Sequence, residues 1–343
     1  MKRLLVLILM FVVLTAGFAQ ERKLRLVEWN VENLFDTLHD YGHNDQEFLP
    51  EGTHRWNSQR YFSKISLVAR TLAILGGTVP ADLVVLCEVE NDSVMVQLTR
   101  RSLLASLGYD YVMTNCKDSR GIDVALMYQP SMFRPMSVQS LSVPYDSLSE
   151  RPTRDILFVS GEITTGEVVH LFLCHFPSRS GERRATESYR MRAAGVVKSK
   201  TDSLMQANPL AKIVITGDFN DEPHDASIAQ TLGASVPPPN SSGIDAQRLY
   251  VLSARLVAGG GIQGTYKFRG RWNRLDNVIV SGSLLAETDG IVTSEAHCAI
   301  GALPHLLEED GDQGAVKPRR SFLGPAWHGG VSDHLPLVLD MFY

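Results

Sequence analysis

Several short apolar runs in this sequence end abruptly in aspartate, glutamate or asparagine, and this feature constrains the fold more than any other. Such runs predict β-strands, because a strand buried on both faces is apolar along its whole length. Polar side chains that follow several strands can meet at one edge of a sheet. The clearest examples are Glu28–Asn33, Leu83–Glu88, Thr216–Asp221 and Val331–Leu339.

The spacing of apolar residues along the rest of the chain alternates between the period of strands and that of helices. It predicts helices near residues 58–75, 93–107 and 188–205. It predicts strands near residues 24–31, 83–86, 109–115, 123–128, 156–162, 168–174, 212–216, 265–268, 273–281 and 335–339. Neighbouring strands at 109–128, 156–174 and 265–281 are expected to pair as hairpins, and residues 36–57 and 297–330 to be irregular. The pattern favours one α+β domain whose helices cover its sheets.

The first residues have the composition of a secretory signal peptide. Lys2 and Arg3 precede the apolar run Leu4–Val13, and small residues end at Ala19. A membrane anchor would need a longer apolar span of roughly 20 residues. We therefore expect residues 1–19 to be removed and residues 20–343 to form a single domain. The product is expected to be a monomer, secreted or periplasmic, without a stable membrane anchor.

Charge and cysteine content argue against several classes of protein. Loss of residues 1–19 would lower the net charge from −5 to −7, because it removes two cations and no acid. No long basic helix is present that would grip duplex DNA. The four cysteines are too few for a disulfide scaffold, and we expect small buried side chains rather than bridges. They are Cys87, Cys116, Cys174 and Cys298.

Asp218 and Asn220 leave a predicted strand through Gly217, and from there both side chains can point toward one ligand. The aspartate supplies charge and the asparagine a neutral donor to an anionic oxygen, although Gly-Asp-x-Asn also suits an ordinary turn. Glu88, at the end of another strand, either has a structural role or binds a cation. Oxygen-rich sites of this kind suit Mg²⁺, Mn²⁺ or Ca²⁺.

Two histidines follow the same arrangement. His175 ends a predicted strand, and Arg179 follows it, which makes a reasonable pair for binding a phosphate, although a lone histidine is more often structural. His334 and its neighbour Asp333 precede the last strand. His334 can act as a positioned base if a second acid reaches its other ring nitrogen, and Asp276 is the candidate for that acid.

Six short blocks containing these residues occur in a fixed order. They are Trp29-Asn30-x-Glu32, the strand into Glu88, His175-x-Pro177-Ser178, Gly217-Asp218-x-Asn220, Arg274-x-Asp276-Asn277 and Ser332-Asp333-His334. Together they resemble the endonuclease/exonuclease/phosphatase superfamily, which includes deoxyribonuclease I, exonuclease III, bacterial sphingomyelinases and inositol polyphosphate 5-phosphatases. The resemblance runs from about residue 24 to residue 343. It implies a four-layered α/β/β/α sandwich, two packed sheets with helices outside.

The resemblance also implies in-line attack of water on a phosphate ester, with a bound divalent cation. Magnesium is the expected ion, with manganese or calcium as alternatives. The implied metal ligands are Asn30, Glu32, Glu88 and Asp333. The resemblance further implies the catalytic and substrate-binding residues. Asp218 would help activate water, and Asn220 would bind a phosphate oxygen. His175, with Arg179 beside it, would steady developing charge, and Asp276 would orient His334.

The substrate is left open by the sequence. An endonuclease acting on nucleic acid is the favoured interpretation. Histidine at position 175 resembles the deoxyribonuclease and sphingomyelinase branches more than the branches that use tyrosine there. A phospholipid hydrolase would need an exposed aromatic hairpin, for which Tyr266, Phe268 and Trp272 are the candidates. A phosphomonoester or inositol-phosphate hydrolase on the same site is a further alternative. A non-catalytic binding module is disfavoured, because the chain has every carboxylate and both histidines of the six blocks that carry the resemblance.

Two further polar segments are expected to face solvent rather than to bind a metal ion. Residues 38–56 contain three histidines and several acids, and we favour a solvated loop over a second metal site. The acidic run at residues 308–312 lacks the spacing of a calcium loop and is expected to face solvent.

Overall fold

The computed structural model describes residues 22–145, 152–179, 183–239, 243–286, 290–311 and 315–343. The predicted signal peptide lies outside these residues. No helix in the described part of the chain is both long enough and apolar enough to cross a membrane.

Four helices of seven or more residues lie within the described residues. They are α1 (Ser58–Gly76), α2 (Asp92–Arg100), α3 (Arg183–Ala207) and a short π-helix (Ala226–Leu232). The side chain of Asn57 accepts a hydrogen bond from the amide of Arg60 at 3.1 Å and so caps α1. The prediction for residues 93–107 was too long: α2 ends at Arg100, and Leu103–Leu107 form a 3-10 helix.

Most of the predicted strands are present; the nine-residue strand Phe133–Leu141, which the sequence analysis missed, and several short strands join them. In chain order they are β1 (Lys23–Leu34), β2 (Leu83–Val89), β3 (Asp110–Met113), β4 (Asp123–Tyr128), β5 (Phe133–Leu141), β6 (Ile156–Ile163), β7 (Val168–His175), β8 (Lys212–Asp218), β9 (Leu249–Val251), β10 (Tyr266–Phe268), β11 (Arg271–Asn273), β12 (Asp276–Ser281), β13 (Cys298–Ile300), β14 (Leu307–Glu309), β15 (Val316–Pro318), β16 (Phe322–Leu323), β17 (Ala326–Trp327) and β18 (Leu337–Phe342).

The strands form two large mixed sheets. The first has the order β13-β18-β1-β2-β4-β3 and the second the order β5-β6-β7-β8-β12-β9. Strands β1 and β2 are parallel, as are β7 and β8. Strands β18 and β12 run antiparallel to their neighbours β1 and β8. The polar ends of β1, β2, β7 and β8 therefore lie on the same side as the beginnings of β12 and β18.

Three apolar cores separate four layers, which confirms the predicted sandwich. The first core packs α1 and α2 on the outer face of the first sheet, through residues such as Trp29 and Val68. The second lies between the sheets and includes Leu26 and Val214. The third packs α3 and the π-helix on the second sheet, through residues such as Ile215. Strand alternation places Trp29 in the first core and Leu26 in the second.

Three sequence expectations need correction. The segment 265–281 is not one hairpin: β10 pairs with β11, while β12 pairs with β8 and β9 in the second large sheet. Residues 297–330 contain the short strands β13–β17 rather than being irregular throughout. The acidic run 308–312 does not simply face solvent, because Asp310 is buried and pairs with Lys267 at 3.0 Å. Such distant partners leave no local pattern.

Candidate active site

Asn30 joins the two sheets where the polar strand ends meet. Its side-chain amide donates a hydrogen bond to the Asp218 carboxylate at 3.0 Å, and its side-chain oxygen accepts one from the amide of Glu32 at 2.9 Å. Ser332 donates to the Asn30 carbonyl oxygen at 2.6 Å, which ties the segment before β18 to the end of β1. Residues widely separated in sequence are thereby held around one cleft.

The backbone at these strand ends adopts conformations that L-residues rarely use. Glu32, Asn33, Glu88 and Asn220 have φ values of 50°, 52°, 65° and 49°. The pairing of β1 with β2 shifts register between Asn30 and Leu34. A bulge of this kind re-aims side chains that strict alternation would send to the other face. Left-handed residues of this type concentrate at functional sites, where the surrounding structure holds them in place.

Asp276 and His334 form a buried pair. Asp276 Oδ2 lies 2.7 Å from His334 Nδ1, and Thr265 donates a hydrogen bond to the same carboxylate oxygen. The other ring nitrogen, Nε2, lies 3.9 Å from Asp218 Oδ2. Tyr266 packs against the imidazole with the ring centroids 4.9 Å apart. The hydrogen bond at Nδ1 fixes the ring so that Nε2 faces the cleft.

The charges of His334 and Asp218 influence each other's pKa. Burial opposes a charged imidazole, but Asp276 and Asp218 outweigh it and raise the pKa of His334 well above its usual value. Burial raises the pKa of Asp218 to about 7, although His334 opposes the shift. The raised pKa of His334 favours the protonated imidazole, and Asp218, with a pKa of about 7, can exchange a proton near neutral pH, as acid–base chemistry requires.

His175 completes the polar floor of the cleft from β7. Its Nε2 lies 3.7 Å from both Glu88 Oε1 and Asp218 Oδ2. Burial, with the nearby cations Arg154 and Arg120, holds the pKa of His175 well below its usual value. A neutral imidazole in this position can donate a hydrogen bond to an anionic oxygen without carrying a charge.

Asn220 and Arg179 lie on the same loop system as Asp218. The amide of Asn220 donates to Asp218 Oδ1 at 2.8 Å, and its side-chain amide donates to the Phe176 carbonyl oxygen at 3.1 Å. The sequence predicted Arg179 as a phosphate ligand, and the structure gives its guanidinium protein partners. It donates to the Asn220 carbonyl oxygen at 2.5 Å and to Asp225 at 2.8 Å. Arg179 thus lines the cleft and holds the Asn220 loop.

Glu32 is engaged by residues that the sequence did not single out. Its carboxylate accepts a hydrogen bond from the amide of Ser321 at 2.6 Å and pairs with Arg320 at 3.2 Å. The fully buried Lys64 donates to the Glu32 carbonyl oxygen and to Ser321 Oγ, the latter at 2.7 Å. Arg320 also reaches Asp333 at 2.8 Å. These contacts hold the two predicted metal-side acids on one rim of the cleft.

Glu88 is the predicted metal ligand whose surroundings suit a cation best. Its Oε2 accepts the amide of Asn33 at 2.8 Å, while Oε1 has only longer ion-pair contacts, 3.7 Å to His175 and 3.9 Å to Arg120. Burial opposes ionisation, yet Arg120 and the Asn33 amide hold the pKa of Glu88 below its usual value. An ionised oxygen donor facing the cleft fits a hard divalent cation.

The structure brings the predicted residues together around one cleft, although not all of them are equally close to one another. Within the described chain, the acid and histidine side chains whose ligand atoms lie within 4.8 Å of one another are Asp218, Asp276 and His334. Glu32, Glu88 and Asp333 line the cleft without forming so tight a group. The cleft measures about 490 Å³. Oxygen donors around the cleft are compatible with the expected cation.

Two residues at the mouth of the cleft were missed or given little weight by the sequence analysis. Arg120 lies in the loop between β3 and β4 and also lines the cleft. Phe268, in the tight β10–β11 hairpin, lines it too and is 55% exposed. Only the aromatic content of the hairpin gave a signal, since a single arginine in a turn has none.

The loop 38–56 shows no metal-binding group among its described side chains. His39 Nδ1 lies 2.5 Å from Asp45 Oδ1, and the amide of Asp40 donates to Asp45 Oδ2 at 2.6 Å. Asp45 itself is buried. Its carboxylate therefore organises the loop from inside, while most of the other residues of the loop are exposed or half-buried, as expected for a solvated loop.

Comparison with known proteins identifies the relatives of this chain. A model of the family described as "Endonuclease/Exonuclease/phosphatase family" matches residues 26–342. No curated protein matches the sequence significantly.

Several solved structures share the fold. An endonuclease/exonuclease/phosphatase from Bacteroides vulgatus is 15% identical, with a TM-score of 0.57 over 93% of this chain and 98% of that one. A truncated Caenorhabditis elegans TDP2 is 16% identical, with a TM-score of 0.55 over 94% and 98%. A D. rerio TDP2 complexed with a single-strand DNA product is 15% identical, with a TM-score of 0.56 over 93% and 98%.

Proposed function

This chain belongs to the endonuclease/exonuclease/phosphatase family and is a metal-dependent phosphoric ester hydrolase, and on that premise we propose that it is a secreted or periplasmic endonuclease. The observation that carries the proposal is the buried Asp276–His334 pair. The Nε2 atom of His334 lies 3.9 Å from the Asp218 carboxylate. Nucleic acid as substrate is supported by the D. rerio TDP2 structure, which holds a single-strand DNA product.

Each residue of the site has a proposed part in in-line hydrolysis. Asp218 accepts a proton from the attacking water, and its raised pKa of about 7 suits that task near neutral pH. His334, held by Asp276 at 2.7 Å, carries a proton on the ring that faces the reacting phosphate. His175 and Asn220 present neutral N–H donors to the phosphate oxygens as negative charge develops.

Asn30, Glu32, Glu88 and Asp333 are the residues proposed to hold the divalent cation, with magnesium favoured over manganese or calcium. When bound, such an ion stabilises negative charge on the phosphate oxygens. Glu88 has the clearest claim to bind the ion. Among the described residues, the nearest ion-pair partner of its Oε1 lies 3.7 Å away.

A phospholipid hydrolase is the second candidate, and one observation favours it. Phe268 stands 55% exposed at the cleft mouth, beside Arg269, whose guanidinium lies 5.1 Å from the phenyl centroid. An exposed aromatic with a neighbouring cation suits the surface of an anionic membrane. Purified protein offered plasmid DNA, RNA, sphingomyelin, inositol phosphates and bis-p-nitrophenyl phosphate will separate the two. Turnover of sphingomyelin without cleavage of DNA or RNA would replace the endonuclease proposal.

Metal dependence is tested with the substitution Glu88→Gln, which keeps the shape of the side chain and removes its charge. EDTA should abolish turnover, and magnesium or manganese should restore it. For Glu88→Gln the magnesium concentration that gives half-maximal rate should rise at least about tenfold, as for the loss of groups that support a bound metal. The matched control is Glu162→Gln, which removes a carboxylate on β6 that pairs with Arg134 on β5. Full activity in metal-free buffer would contradict the assignment.

The proposed location rests on the N-terminal sequence alone. Mass spectrometry of the exported protein should find an N-terminus at or near Gln20. A chain that keeps Met1 and remains in the membrane fraction would refute secretion.

A further inference from the structure

A second cavity adjoins the catalytic cleft. It measures about 500 Å³ and lies between the loop after β3, the segment before β6 and the first turns of α3. Arg120 and Ser178 line both cavities, so the two spaces meet at these residues. A substrate whose scissile phosphate lies beside Glu88 and Asp218 would reach the second space by extending past Arg120 and Ser178. None of the reaction steps described above uses it.

The charge of the second cavity is opposite to that of the cleft. Three arginines and one acid line it: Arg120, Arg154, Arg192 and Asp118. Asp118 is already neutralised by Arg154, at 3.1 Å. The described lining therefore has a formal excess of two positive charges. The cleft, which contains Arg120 and Arg179 as well as four carboxylates, has a formal excess of two negative charges when its histidines are neutral. The cleft suits a cation, and the second cavity suits an anion.

Arg154 shows that this cavity has a buried positive charge in its wall. The side chain is only 6% exposed. One guanidinium nitrogen donates to the Phe176 carbonyl oxygen at 2.7 Å, and another pairs with Asp118. Its Nε has no hydrogen-bond partner among the described residues. Burying a guanidinium with an unused donor is unfavourable unless an acceptor reaches it.

Aromatic side chains form the rest of the wall. Tyr145 is 40% exposed and lines the cavity together with Tyr189. The guanidinium carbon of Arg192 lies 4.9 Å from the centroid of the Tyr189 ring. Arginines beside accessible aromatic rings are what proteins use to bind single-stranded nucleic acids, since every base has a face that can stack.

We infer that the second cavity binds the nucleotide next to the scissile phosphate, with its own phosphate on Arg120 and Arg192 and its base against Tyr145 or Tyr189. The inference rests on the proposed endonuclease function and narrows its substrate to single-stranded nucleic acid. A base paired within a duplex would first have to leave the stack before it entered a cavity of this kind.

The test compares two diesters that differ in the neighbouring nucleotide. Bis-p-nitrophenyl phosphate has a scissile phosphate and no second one, whereas a single-stranded oligonucleotide has both. Arg192→Gln should lower the ratio of kcat/KM for the oligonucleotide to that for bis-p-nitrophenyl phosphate by about tenfold, the size expected for a charge-assisted hydrogen bond. The control is Lys198→Gln on the same helix, whose ammonium pairs with Asp202 at 2.5 Å. This control should leave the ratio unchanged.

A second variant and a binding measurement keep the inference separable from the proposed function. Tyr145→Ala changes an exposed residue and should also lower the ratio, with the melting temperature close to that of the original chain. The anisotropy of a fluorescein-labelled single-stranded oligonucleotide reports binding without turnover. If neither the oligonucleotide nor bis-p-nitrophenyl phosphate is hydrolysed, the proposed function fails while binding remains measurable.

The inference is overturned if neither Arg192→Gln nor Tyr145→Ala changes the ratio or the binding of the labelled strand. It is also overturned if both substrates lose activity equally, because Arg192 would then act on the fold. Cleavage of a duplex as fast as of its separated strand would likewise remove the single-strand preference.

Discussion

At the scale of single residues, the site depends on two carboxylates that share one imidazole. Asp276 lies 2.7 Å from Nδ1 of His334, and Asp218 lies 3.9 Å from Nε2. Asp276 orients the ring, because its carboxylate is hydrogen-bonded to His334 Nδ1 and is itself held by a hydrogen bond from the Thr265 hydroxyl. Asp218 lies on the side open to the cleft. Position therefore separates the roles of two chemically identical groups.

His334→Ala should lower turnover by about 10²–10⁴-fold, the range typical for losing a positioned acid–base group. Asp276→Asn should produce a smaller loss, because it removes charge and orientation but keeps the imidazole. Steady-state kinetics on both variants and on the double variant measure the coupling. The effects should be strongly non-additive, since the two side chains act as one unit.

Because His334 is buried, thermal unfolding must be followed alongside the kinetics. A folded His334→Ala protein with near-normal turnover would remove the histidine from the mechanism. Simple additivity in the cycle would show that Asp276 does not act through it.

At the scale of elements, the meeting of β7 and β8 positions both His175 and Asp218. The two strands are parallel, with Cys174 opposite Gly217 and His175 opposite Asp218. Gly217 has a φ of 135°, and a Cβ placed there would lie 1.9 Å from the Cys174 carbonyl oxygen. Only glycine allows the strands to approach this closely while β8 turns into the Asp218 loop.

Gly217→Ala should therefore disturb stability and activity together. The methyl group must push β8 away from β7, and we expect a loss of about 2–4 kcal/mol in the free energy of unfolding. Turnover should also fall, because Asp218 is the next residue. Urea unfolding and kinetics measure the two effects.

Gly195→Ala is the matched control for this substitution. Gly195 lies within α3, where an added Cβ meets nothing within 4 Å, and alanine is the better helix former by about 0.5–1 kcal/mol. This variant should be at least as stable as the original chain. An equally stable and active Gly217→Ala would mean that the close approach of β7 and β8 is not required.

At the scale of the whole molecule, three cores hold four layers together, and three of the four cysteines belong to these cores. Cys87 and Cys298 lie between the sheets, and Cys174 lies beneath α3. All four cysteines, including Cys116, are free and buried. Burial raises the pKa of both Cys116 and Cys298 to about 12 and that of Cys87 well above its usual value. The thiols are therefore protonated and shielded, as predicted for small buried side chains.

Thiol titration with Ellman's reagent tests this arrangement in the intact protein. The native protein should show no reactive thiol, since the thiolate is the reacting form and burial suppresses it. Four thiols should react after unfolding in guanidinium chloride. Fewer than four after unfolding under non-reducing conditions would reveal a disulfide, and reaction in the native state would show that the cores open readily.

The sequence by itself determined which residues could reach the site. Asn30, Glu88, His175, Asp218 and His334 follow or precede apolar runs, and the local period of those runs is enough to predict a strand end. The order of the blocks then implied the four-layered fold, which the structure confirmed. The strand ends could be predicted because they depend on neighbours within a few residues along the chain, whereas the four-layered fold was implied only by the resemblance of the blocks to a known family.

Tertiary structure alone decided how the residues are brought together and supported. The bond from Asn30 to Asp218 spans 188 positions, and that from Lys64 to Ser321 spans 257. The splitting of residues 265–281 between β10–β11 and the second sheet has the same origin, because β12 takes its register from β8 rather than from the adjacent turn. Contacts over such separations form only when two sheets pack, and no periodicity within a single segment records which distant partner a side chain will meet.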